Sequence, residues 1–265
     1  MARTLPLGTV DERAAVWQSR LGVTPPHGRL IDLYQGESWT QSKRLAATAR
    51  AAGYEPELFV ASAGLGLRRA EERAPSYAAT FARGQADTVG ATTQEATAWW
   101  DLLPHTAAPE KHRPTIWVLS EAYARAMANL FEAIDPETSL VFGGAATTPD
   151  AVRIRSDRTL RSALGGTVTS LNTRMAIRWL ELADQSPLTS PTVRRAWDAW
   201  TGSAKQVEVY DRRPVSDSAI RALIDEMRKH QPKLTKTVAL RNLRAAGIAC
   251  EQRRFSGLFE EAVTA

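Results

Sequence analysis

Four short apolar runs alternate with helical patterns in the first part of the chain, and this alternation limits the possible folds more than any other feature. The runs occupy residues 29–34, 57–62, 115–120 and 138–144. Helical patterns follow the first and third runs, at residues 39–52 and 121–134. Strand–helix–strand repetition is typical of parallel sheets covered by helices. We therefore predict an α/β domain with a central, mainly parallel sheet and helices on both faces.

In such folds, ligands bind at the C-terminal ends of the strands, where the connecting loops converge. Loops rich in Gly, Ser, Thr and Asn follow the apolar runs, and these residues permit close backbone approach and supply hydrogen bonds. The loops are QGES, SAGLG, SEAY and GGAATT, and a fifth, LGGTVTSLNTR, precedes an amphipathic helical pattern. None matches a phosphate-loop or dinucleotide fingerprint, so we expect no nucleotide cofactor.

Cysteine and histidine usage excludes several classes of site. The single cysteine, Cys250, excludes an internal disulfide framework and a Cys-rich zinc site. The four histidines, His27, His105, His112 and His230, lack metal-ligand spacing, so we expect no metal. The sequence has no signal-peptide pattern and no apolar run long enough to cross a bilayer. We therefore expect a cytoplasmic protein without membrane association and without an obligate protein partner.

The net charge of +5 is concentrated toward the C-terminus. Residues 1–190 carry 20 basic and 20 acidic side chains, whereas residues 191–254 carry 14 basic and 7 acidic ones. A basic module on a neutral domain favours a polyanionic partner, most often nucleic acid. Alternatively, the surplus arginines only form the solvent-exposed surface of a helical module and bind no partner. We predict an α/β domain at 1–190 and a basic helical module at 191–265.

Two helical stretches flank Gly247 in the C-terminal module: TKTVALRNLRAAG and IACEQRRFSGLFEEAV. A helix, a short glycine turn and a second helix are the outline of a helix-turn-helix, which ordinary helical hairpins share. The candidate DNA contacts in this module are Lys233, Lys236, Arg241, Arg244, Arg253 and Arg254.

Glu37 directly follows the first apolar run and is the candidate catalytic residue. A carboxylate at a strand end can orient or deprotonate a water molecule, or stabilise a developing cation. Hydrolysis of a glycosidic bond needs both tasks. The neighbouring rings of Tyr34 and Trp39 could sandwich a base or a sugar. Alternatively, Glu37 only supports the N-terminus of the following helix, where acidic residues are favourable.

Other polar residues at the strand ends have two interpretations each. Ser62 could be a nucleophile only beside a base, and no histidine is placed for that role, so we expect a polar contact or a turn. Tyr77 either lines a pocket or anchors a loop on the sheet. Asn172 and Arg174 begin a helix and could bind phosphate there, or the segment could simply cap the helix.

Three segments resemble the family related to the peroxide-stress protein YaaA: DLYQGESWTQSKRLAATARAAG, LFVASAGLGLRRAEERAPSYAATF and IWVLSEAYARAM. The family pattern is an LY segment, a strand ending in Ser-Ala-x-x-Gly-Leu, and a Pro-x-Tyr-x-x-Thr element. The resemblance covers about residues 28–145. Archaeosine tRNA-modifying enzymes carry a similar domain, its fold is similar to that of uracil-DNA glycosylases, and some members are anti-phage DNA glycosylases.

The resemblance implies a DNA glycosylase that flips a modified base out of phage DNA, hydrolyses its N-glycosidic bond and leaves an abasic site, with no cofactor. Glu37 would act on the water or the sugar cation. Uracil-DNA glycosylases also use a histidine after the fourth strand, which VFGGAATTPD lacks. Either the backbone N–H groups of residues 143–146 replace this histidine, or the chain is not a glycosylase. The expected base and sugar pocket comprises Tyr34, Gln35, Gly36, Ser38, Trp39, Ser62, Ala63, Gly64, Tyr77, Gly143 and Gly144.

Two other functions remain open from the sequence. In the first, the protein binds DNA without catalysis, with the sheet domain as a scaffold. In the second, the protein is an enzyme that processes free nucleosides or nucleotides, and the basic module serves assembly. Steep salt dependence of DNA binding separates the second from the other hypotheses.

Overall fold

The computed structural model describes residues 1–106, 108–110, 112–132, 134–207, 213–232 and 234–264. The chain divides into two compact units, Met1–Gln206 and Val207–Ala265. Both contain helices and short strands, and helix predominates, so the fold is mixed α/β as predicted.

The first unit has nine helices in its described part: α1 Val10–Val23, α2 Leu30–Leu33, α3 Glu37–Ala51, α4 Thr93–Leu102, α5 Glu121–Ala126, α6 Ala128–Glu132, α7 Arg161–Leu164, α8 Leu171–Ala183 and α9 Pro191–Ala204. Its strands are β1 Gly28–Arg29, β2 Phe59–Ser62, β3 Gly66–Arg69, β4 Arg73–Ala74, β5 Thr115–Leu119, β6 Ser139–Gly143 and β7 Arg153–Ile154. Single 3₁₀ turns lie at Ala2–Thr4, Arg158–Leu160 and Val168–Ser170.

Strands β5, β6 and β7 form a parallel sheet in that order, with Trp117 opposite Val141 and Phe142 opposite Ile154. The predicted strands at 57–62, 115–120 and 138–144 are confirmed with slightly shorter bounds. Every residue of β6 is buried, as a strand covered on both faces requires. Within the described residues, however, no sheet has more than three strands, so a large central sheet is not formed.

Strand β2 pairs antiparallel with β3 rather than with the parallel sheet. The predicted loop SAGLG ends at Gly66, where β3 begins. Gly66 permits the return of the chain because its φ of +76° is accessible to glycine and strained for other residues. Residues of β2 and all five residues of β5 border one cavity of about 290 Å³ instead of hydrogen-bonding to each other.

The predicted strand at 29–34 is wrong beyond Arg29, because Leu30–Leu33 form the single-turn helix α2. Leu30, Leu33 and Tyr34 follow a spacing of i, i+3 and i+4, which matches one face of a helix. A six-residue apolar run is too short to distinguish this spacing from strand alternation. Leu30 is fully buried, and its turn carries the chain directly to the start of α3.

Helix α9 belongs to the first unit, whereas the sequence analysis placed residues 191–204 in the C-terminal module. The ring of Trp197 lies 5.4 Å from that of Trp179 in α8 and 6.4 Å from that of Phe142 in β6. These aromatic contacts bury the apolar face of α9 against the parallel sheet. With the unit boundary at 206, the first unit has 23 basic and 21 acidic residues and the second has 11 and 8. The basic excess is therefore shared between the units.

The second unit contains helices α10 Asp217–His230, α11 Lys236–Ala245 and α12 Gln252–Thr264. Strand β8, Arg213–Pro214, pairs in parallel with β9, Ile248–Ala249, which lies between α11 and α12. The connection between these two helices spans residues 246–251 and is longer than the turn of 3–4 residues typical of a helix-turn-helix. No helix in the described ranges combines the length and the apolar character that crossing a bilayer requires.

Candidate functional site

Residues of β2 and of the loop that follows β4 border a cavity of about 570 Å³, which we call the tyrosine cavity. Its polar lining consists of Tyr34, Ser62, Ser76, Tyr77, Thr80, Gln85, Asp87 and Tyr123. Four residues predicted to form the base and sugar pocket, Tyr34, Ser62, Ala63 and Tyr77, lie in this lining. The Pro-x-Tyr-x-x-Thr element, residues 75–80, lines the cavity along its whole length.

Three hydroxyl groups form a directed hydrogen-bond chain in the tyrosine cavity. Ser62 Oγ accepts the backbone N–H groups of Gly64 and Leu65 at 3.1 and 3.0 Å, so its own hydrogen is donated to Tyr77. Tyr77 in turn donates to the hydroxyl of Tyr34, because a buried donor without an acceptor is costly. The Tyr34 hydroxyl ends the chain. Since the described residues offer it no further acceptor, its hydrogen is available to a ligand.

Burial keeps two tyrosines of the cavity in the neutral form. Burial is the largest cause that raises the pKa of Tyr77 far above its ordinary value, and the nearby Tyr34 adds to it. Burial likewise raises the pKa of Tyr123 to about 12. Both side chains are therefore hydroxyl groups at neutral pH, and neither is a base.

Asp87 supplies the carboxylate of the tyrosine cavity, and no other described residue of the lining is acidic. Its Oδ1 accepts the backbone N–H of Arg3 at 3.0 Å and lies 3.8 Å from Arg3 Nε. Its Oδ2 has no hydrogen-bond partner in the described part of the chain, although the side chain is only 17% exposed. One carboxylate oxygen is thus held and the other remains open.

Sequence reasoning missed Asp87 and Tyr123 as candidates. The carbonyl of Asp87 accepts the backbone N–H of Thr80 at 2.9 Å, and an isolated bridge joins Thr80 to Thr88. This return of the chain brings Asp87 beside the Pro-x-Tyr-x-x-Thr element. No local sequence pattern predicts this contact. Tyr123 did carry a signal, because it closes the SEAY segment that follows a predicted strand.

Glu37 begins α3 and is not part of the tyrosine cavity lining. Its Oε1 accepts hydrogen bonds from Ser170 Oγ at 2.7 Å and from Arg174 Nη2 at 2.8 Å. Its Oε2 accepts the hydroxyl of Thr167 and the backbone N–H of Thr167, the latter at 3.3 Å. We call these four residues the Glu37 cluster. Each carboxylate oxygen already has two donors, so no open position is left for a water molecule that needs a base.

The hydrogen bonds of the Glu37 cluster, that from the Thr167 hydroxyl first and those from Arg174 and Ser170 next, lower the pKa of Glu37 from 4.5 to about 2. The group is ionised at neutral pH and is a weak proton acceptor. Its position matches the alternative prediction, in which the acidic residue supports a helix N-terminus. Glu37 also joins α3 to the segment before α8, 130 residues along the chain.

Gly166 lets the backbone approach the Glu37 cluster closely. A Cβ atom at this position would lie 2.4 Å from Arg174 Nε and 2.6 Å from Glu37 Oε1. Its φ of +75° also favours glycine. Gly166 of the LGGTVTSLNTR segment therefore permits the contact between α3 and the segment that precedes α8.

The remaining predicted pocket residues beside Glu37 lie outside the tyrosine cavity. Gln35, Gly36 and Ser38 are exposed. The indole N–H of Trp39 donates to the carbonyl of Ile31 at 2.9 Å. The centroid of the Trp39 ring lies 5.3 Å from that of the Tyr34 ring, so Trp39 packs against Tyr34.

Three predicted glycines are packed against protein atoms. A Cβ at Gly64 would lie 2.5 Å from the Tyr77 ring, so Gly64 permits the ring to seat there. Gly143 is in contact with Asn172 and the Leu119 carbonyl in the same way. The N–H groups of Gly144 and Ala145 donate to the Leu119 carbonyl and to Thr148 Oγ1. These two of the N–H groups expected at residues 143–146 are thus engaged within the protein.

The predicted DNA-binding residues of the first unit are also engaged in internal contacts. Asn172 Nδ2 donates to the Leu119 carbonyl at 3.1 Å, and its Oδ1 accepts the hydroxyl of Ser156. Arg174 pairs with Glu37 and borders a surface pocket of about 300 Å³ that Arg44 and Arg178 also line. Arg44 has no ion pair or hydrogen bond within the described ranges, and Arg178 Nε is buried without a partner.

Half of the predicted basic contacts in the second unit are committed to partners within that unit. Lys236 Nζ lies 2.9 Å from Glu260, Arg254 Nε lies 2.7 Å from Asp217, and Arg244 donates to the Cys250 carbonyl at 3.2 Å. Among the described residues, the side chains of Arg241 and Arg253 have no such partner. A pocket of about 460 Å³ brings Lys236, Arg241 and Arg244 together. Lys233 lies outside the described residues.

Comparison of the chain with protein-family models, with curated proteins and with solved structures finds no match.

Proposed function

We propose that the protein is a DNA glycosylase related to the YaaA family, which flips a modified base of phage DNA into the tyrosine cavity and hydrolyses its N-glycosidic bond. The observation that carries this proposal is the composition of that cavity. The element that supports the family resemblance, residues 75–80, forms one wall of it. Its volume of about 570 Å³ lies within the range of about 300–1,000 Å³ typical of ligand pockets.

We assign to Tyr34 the hydrogen bond that stabilises the departing base. In N-glycosidic hydrolysis the bonding electron pair leaves with the base, and the resulting charge spreads to its carbonyl oxygens. A preorganised donor aimed at such an oxygen stabilises the transition state. The hydroxyl chain from Ser62 through Tyr77 ends on Tyr34 with its hydrogen available. Tyr34 therefore takes the task that the absent histidine performs in uracil-DNA glycosylases.

Glu37 becomes a positioning residue in this proposal. It holds the N-terminus of α3 to the segment before α8. The residues that directly precede α3 include Tyr34, so the Glu37 cluster fixes the segment that carries the donor. This role requires an ionised carboxylate with filled hydrogen-bond positions, which a pKa of about 2 and four donors provide.

We assign contacts with DNA phosphates to arginines whose side chains have no partner among the described residues. In the first unit these include Arg44, beside Arg174 and Arg178 in one pocket. In the second unit they are Arg241 and Arg253. Guanidinium groups suit phosphate because they offer paired donors in a fixed plane. Neutralising phosphates releases counterions, so the affinity for DNA should fall steeply with salt.

The test is release of a base from hypermodified phage DNA, followed by mass spectrometry of the products and by counting abasic sites. The proposal expects a free modified base and one abasic site for each base released. Unmodified DNA of the same sequence is the control and should stay intact. If the wild-type protein leaves every modified base in place, the glycosylase proposal fails.

A second candidate function is DNA binding without catalysis. The observation that favours it is the state of Glu37, since the carboxylate first expected to act on water is fully hydrogen-bonded. Under this function the protein binds modified DNA with steep salt dependence and generates no abasic sites. The same assay, with binding measured by fluorescence anisotropy, separates the two functions.

We also infer that the first unit is related to the uracil-DNA-glycosylase architecture, although its strands form several small sheets in place of one mainly parallel sheet. Parallel pairing of β5, β6 and β7 supports this inference. The shared cavity between β2 and β5 places both strands at one boundary.

A further inference from the structure

Two carboxylates of the first unit, those of Glu37 and Asp87, differ in whether an oxygen is free to accept a further hydrogen bond. Glu37 accepts hydrogen bonds from four donors and lies outside the tyrosine cavity lining. Asp87 lies in the lining, and among the residues that the structure describes only its Oδ1 has a partner, Arg3. A carboxylate that acts on water needs an oxygen free to accept a hydrogen bond from that water. Of the two, only Asp87 meets this requirement.

We propose that Asp87 is the catalytic carboxylate of the tyrosine cavity and acts together with Tyr34 on a nucleotide whose base carries a carbonyl oxygen. This inference rests on the proposed glycosylase function and names the residues that perform it. The backbone N–H of Arg3 fixes Oδ1 at 3.0 Å, which orients the carboxylate and leaves Oδ2 for the water. Arg3 itself is held by the 3₁₀ turn at Ala2–Thr4, which the Ala2 N–H anchors to the Ala78 carbonyl at 2.8 Å.

The reaction balances with these two groups and water. The bond between C1′ and the base nitrogen breaks, and its electron pair leaves with the base. Tyr34 donates a hydrogen bond, not a proton, to the carbonyl oxygen of the departing base. The water oxygen bonds to C1′, and its proton passes to Asp87 Oδ2 and then to solvent. The base takes up one proton from solvent, so the sum is addition of water across the glycosidic bond.

The chemistry of the lining also selects the substrate class. Tyr34 presents a donor, and the pKa values of Tyr77 and Tyr123 keep their hydroxyl groups neutral. A base with a carbonyl oxygen on the edge that enters the cavity accepts from Tyr34, whereas a base with an amino group at that position meets a second donor. We therefore expect keto-bearing bases to be released and their amino counterparts to be retained.

The decisive experiment compares base release by Asp87→Asn, Arg3→Ala and Asp87→Glu in the full chain. The substrates are hypermodified phage DNA and its unmodified counterpart, and thermal melting checks that each variant is folded. Asp87→Asn keeps the shape and can still accept the Arg3 N–H, but it cannot take a proton. We expect the rate to fall at least about hundredfold, the lower range for loss of a general acid or base. Asp87→Glu should recover part of that rate.

Arg3→Ala is the matched control because it removes the guanidinium side of the same ion pair and keeps the backbone N–H. If Asp87 served only to hold Arg3, both variants would behave alike. We expect Arg3→Ala to lose far less rate than Asp87→Asn, because it keeps the backbone N–H that holds Oδ1. Equal rates for wild type and Asp87→Asn would overturn the assignment and leave the glycosylase function standing. A wild-type protein that releases no base overturns both.

Discussion

The Glu37 cluster and the tyrosine cavity both place polar groups near the start of α3, and they differ in how completely those groups are hydrogen-bonded. In the cluster, every carboxylate oxygen has two donors and Arg174 is paired. In the cavity, the Tyr34 hydroxyl accepts a hydrogen bond from Tyr77 but its own hydrogen has no acceptor among the described residues, and Asp87 Oδ2 has no partner there. Fully hydrogen-bonded polar groups rigidify a fold, whereas open ones can receive a ligand. In our proposal this difference separates the positioning residue Glu37 from the reactive groups of Tyr34 and Asp87.

The largest expected effect comes from Tyr34→Phe, which removes the open donor and keeps the ring against Trp39. Loss of one preorganised donor costs about 10²–10³ in rate, so base release should fall by that factor. Tyr77 loses an acceptor, which should cost about 1 kcal/mol of stability. The measurements are single-turnover base release and urea unfolding.

Tyr54→Phe is the control for Tyr34→Phe, because its hydroxyl lies 3.5 Å from the Ser186 carbonyl and outside the tyrosine cavity lining. Its rate should match the wild type. If Tyr34→Phe also keeps the wild-type rate, the Tyr34 hydroxyl is not used in catalysis. The tyrosine cavity would then not differ from the Glu37 cluster through that hydroxyl.

The second effect is on stability. Gly166→Ala places a Cβ against Arg174 and Glu37 at a φ of +75°, and we expect a loss of about 2–3 kcal/mol from backbone strain and overpacking together. Gly165→Ala is a matched control with a φ of +69° and no atom within 4 Å of its Cβ, so it reports backbone strain alone. Urea unfolding of both variants gives the difference. Equal losses would show that the Glu37 cluster does not need close approach of the backbone.

The smallest effect is expected for Glu37→Gln at neutral pH, about 1–2 kcal/mol, because the Glu37 side chain remains one-third exposed and the ion pair is only partly desolvated. The variant leaves Arg174 without a charged partner. Circular dichroism during urea titration measures the loss. A variant as stable as the wild type would contradict the positioning role.

The same variant has a defined pH dependence. The folded pKa of Glu37 is about 2 against an ordinary 4.5, so its contribution is complete above pH 4.5 and is lost as the pH falls toward 2. Wild type and Glu37→Gln should therefore differ at neutral pH and converge near pH 2. A constant difference across that window would mean that the charge of Glu37 does not stabilise the fold.

Local patterns predicted several elements of the first unit because each has a strong periodicity. The runs at β2, β5 and β6 are apolar and bounded by turn residues, and the apolar positions of α8 lie on one helical face. The strand predicted at 29–34 was wrong, because six residues fit both a strand and the turn of helix that forms there.

The residues of the candidate site were harder to predict from the sequence than the helices and strands. Tyr34, Ser62 and Tyr77 could be predicted because they lie in the segments that support the resemblance. The partners of Glu37 lie 130 to 137 residues away along the chain, and no spacing rule reports such contacts. Asp87 lies in an irregular loop and enters the cavity through the bridge between Thr80 and Thr88. Its importance depends on an open oxygen, which only tertiary structure reveals.

The most direct test of the account is the rate of base release by Asp87→Asn and by Glu37→Gln, measured together on modified phage DNA at a temperature where both variants are folded. The account predicts that Asp87→Asn loses at least about hundredfold in rate with little loss of stability. Glu37→Gln should show the greater loss of stability and the smaller loss of rate. The opposite result, with Glu37→Gln inactive and Asp87→Asn active, would contradict the assignment of catalysis to the tyrosine cavity.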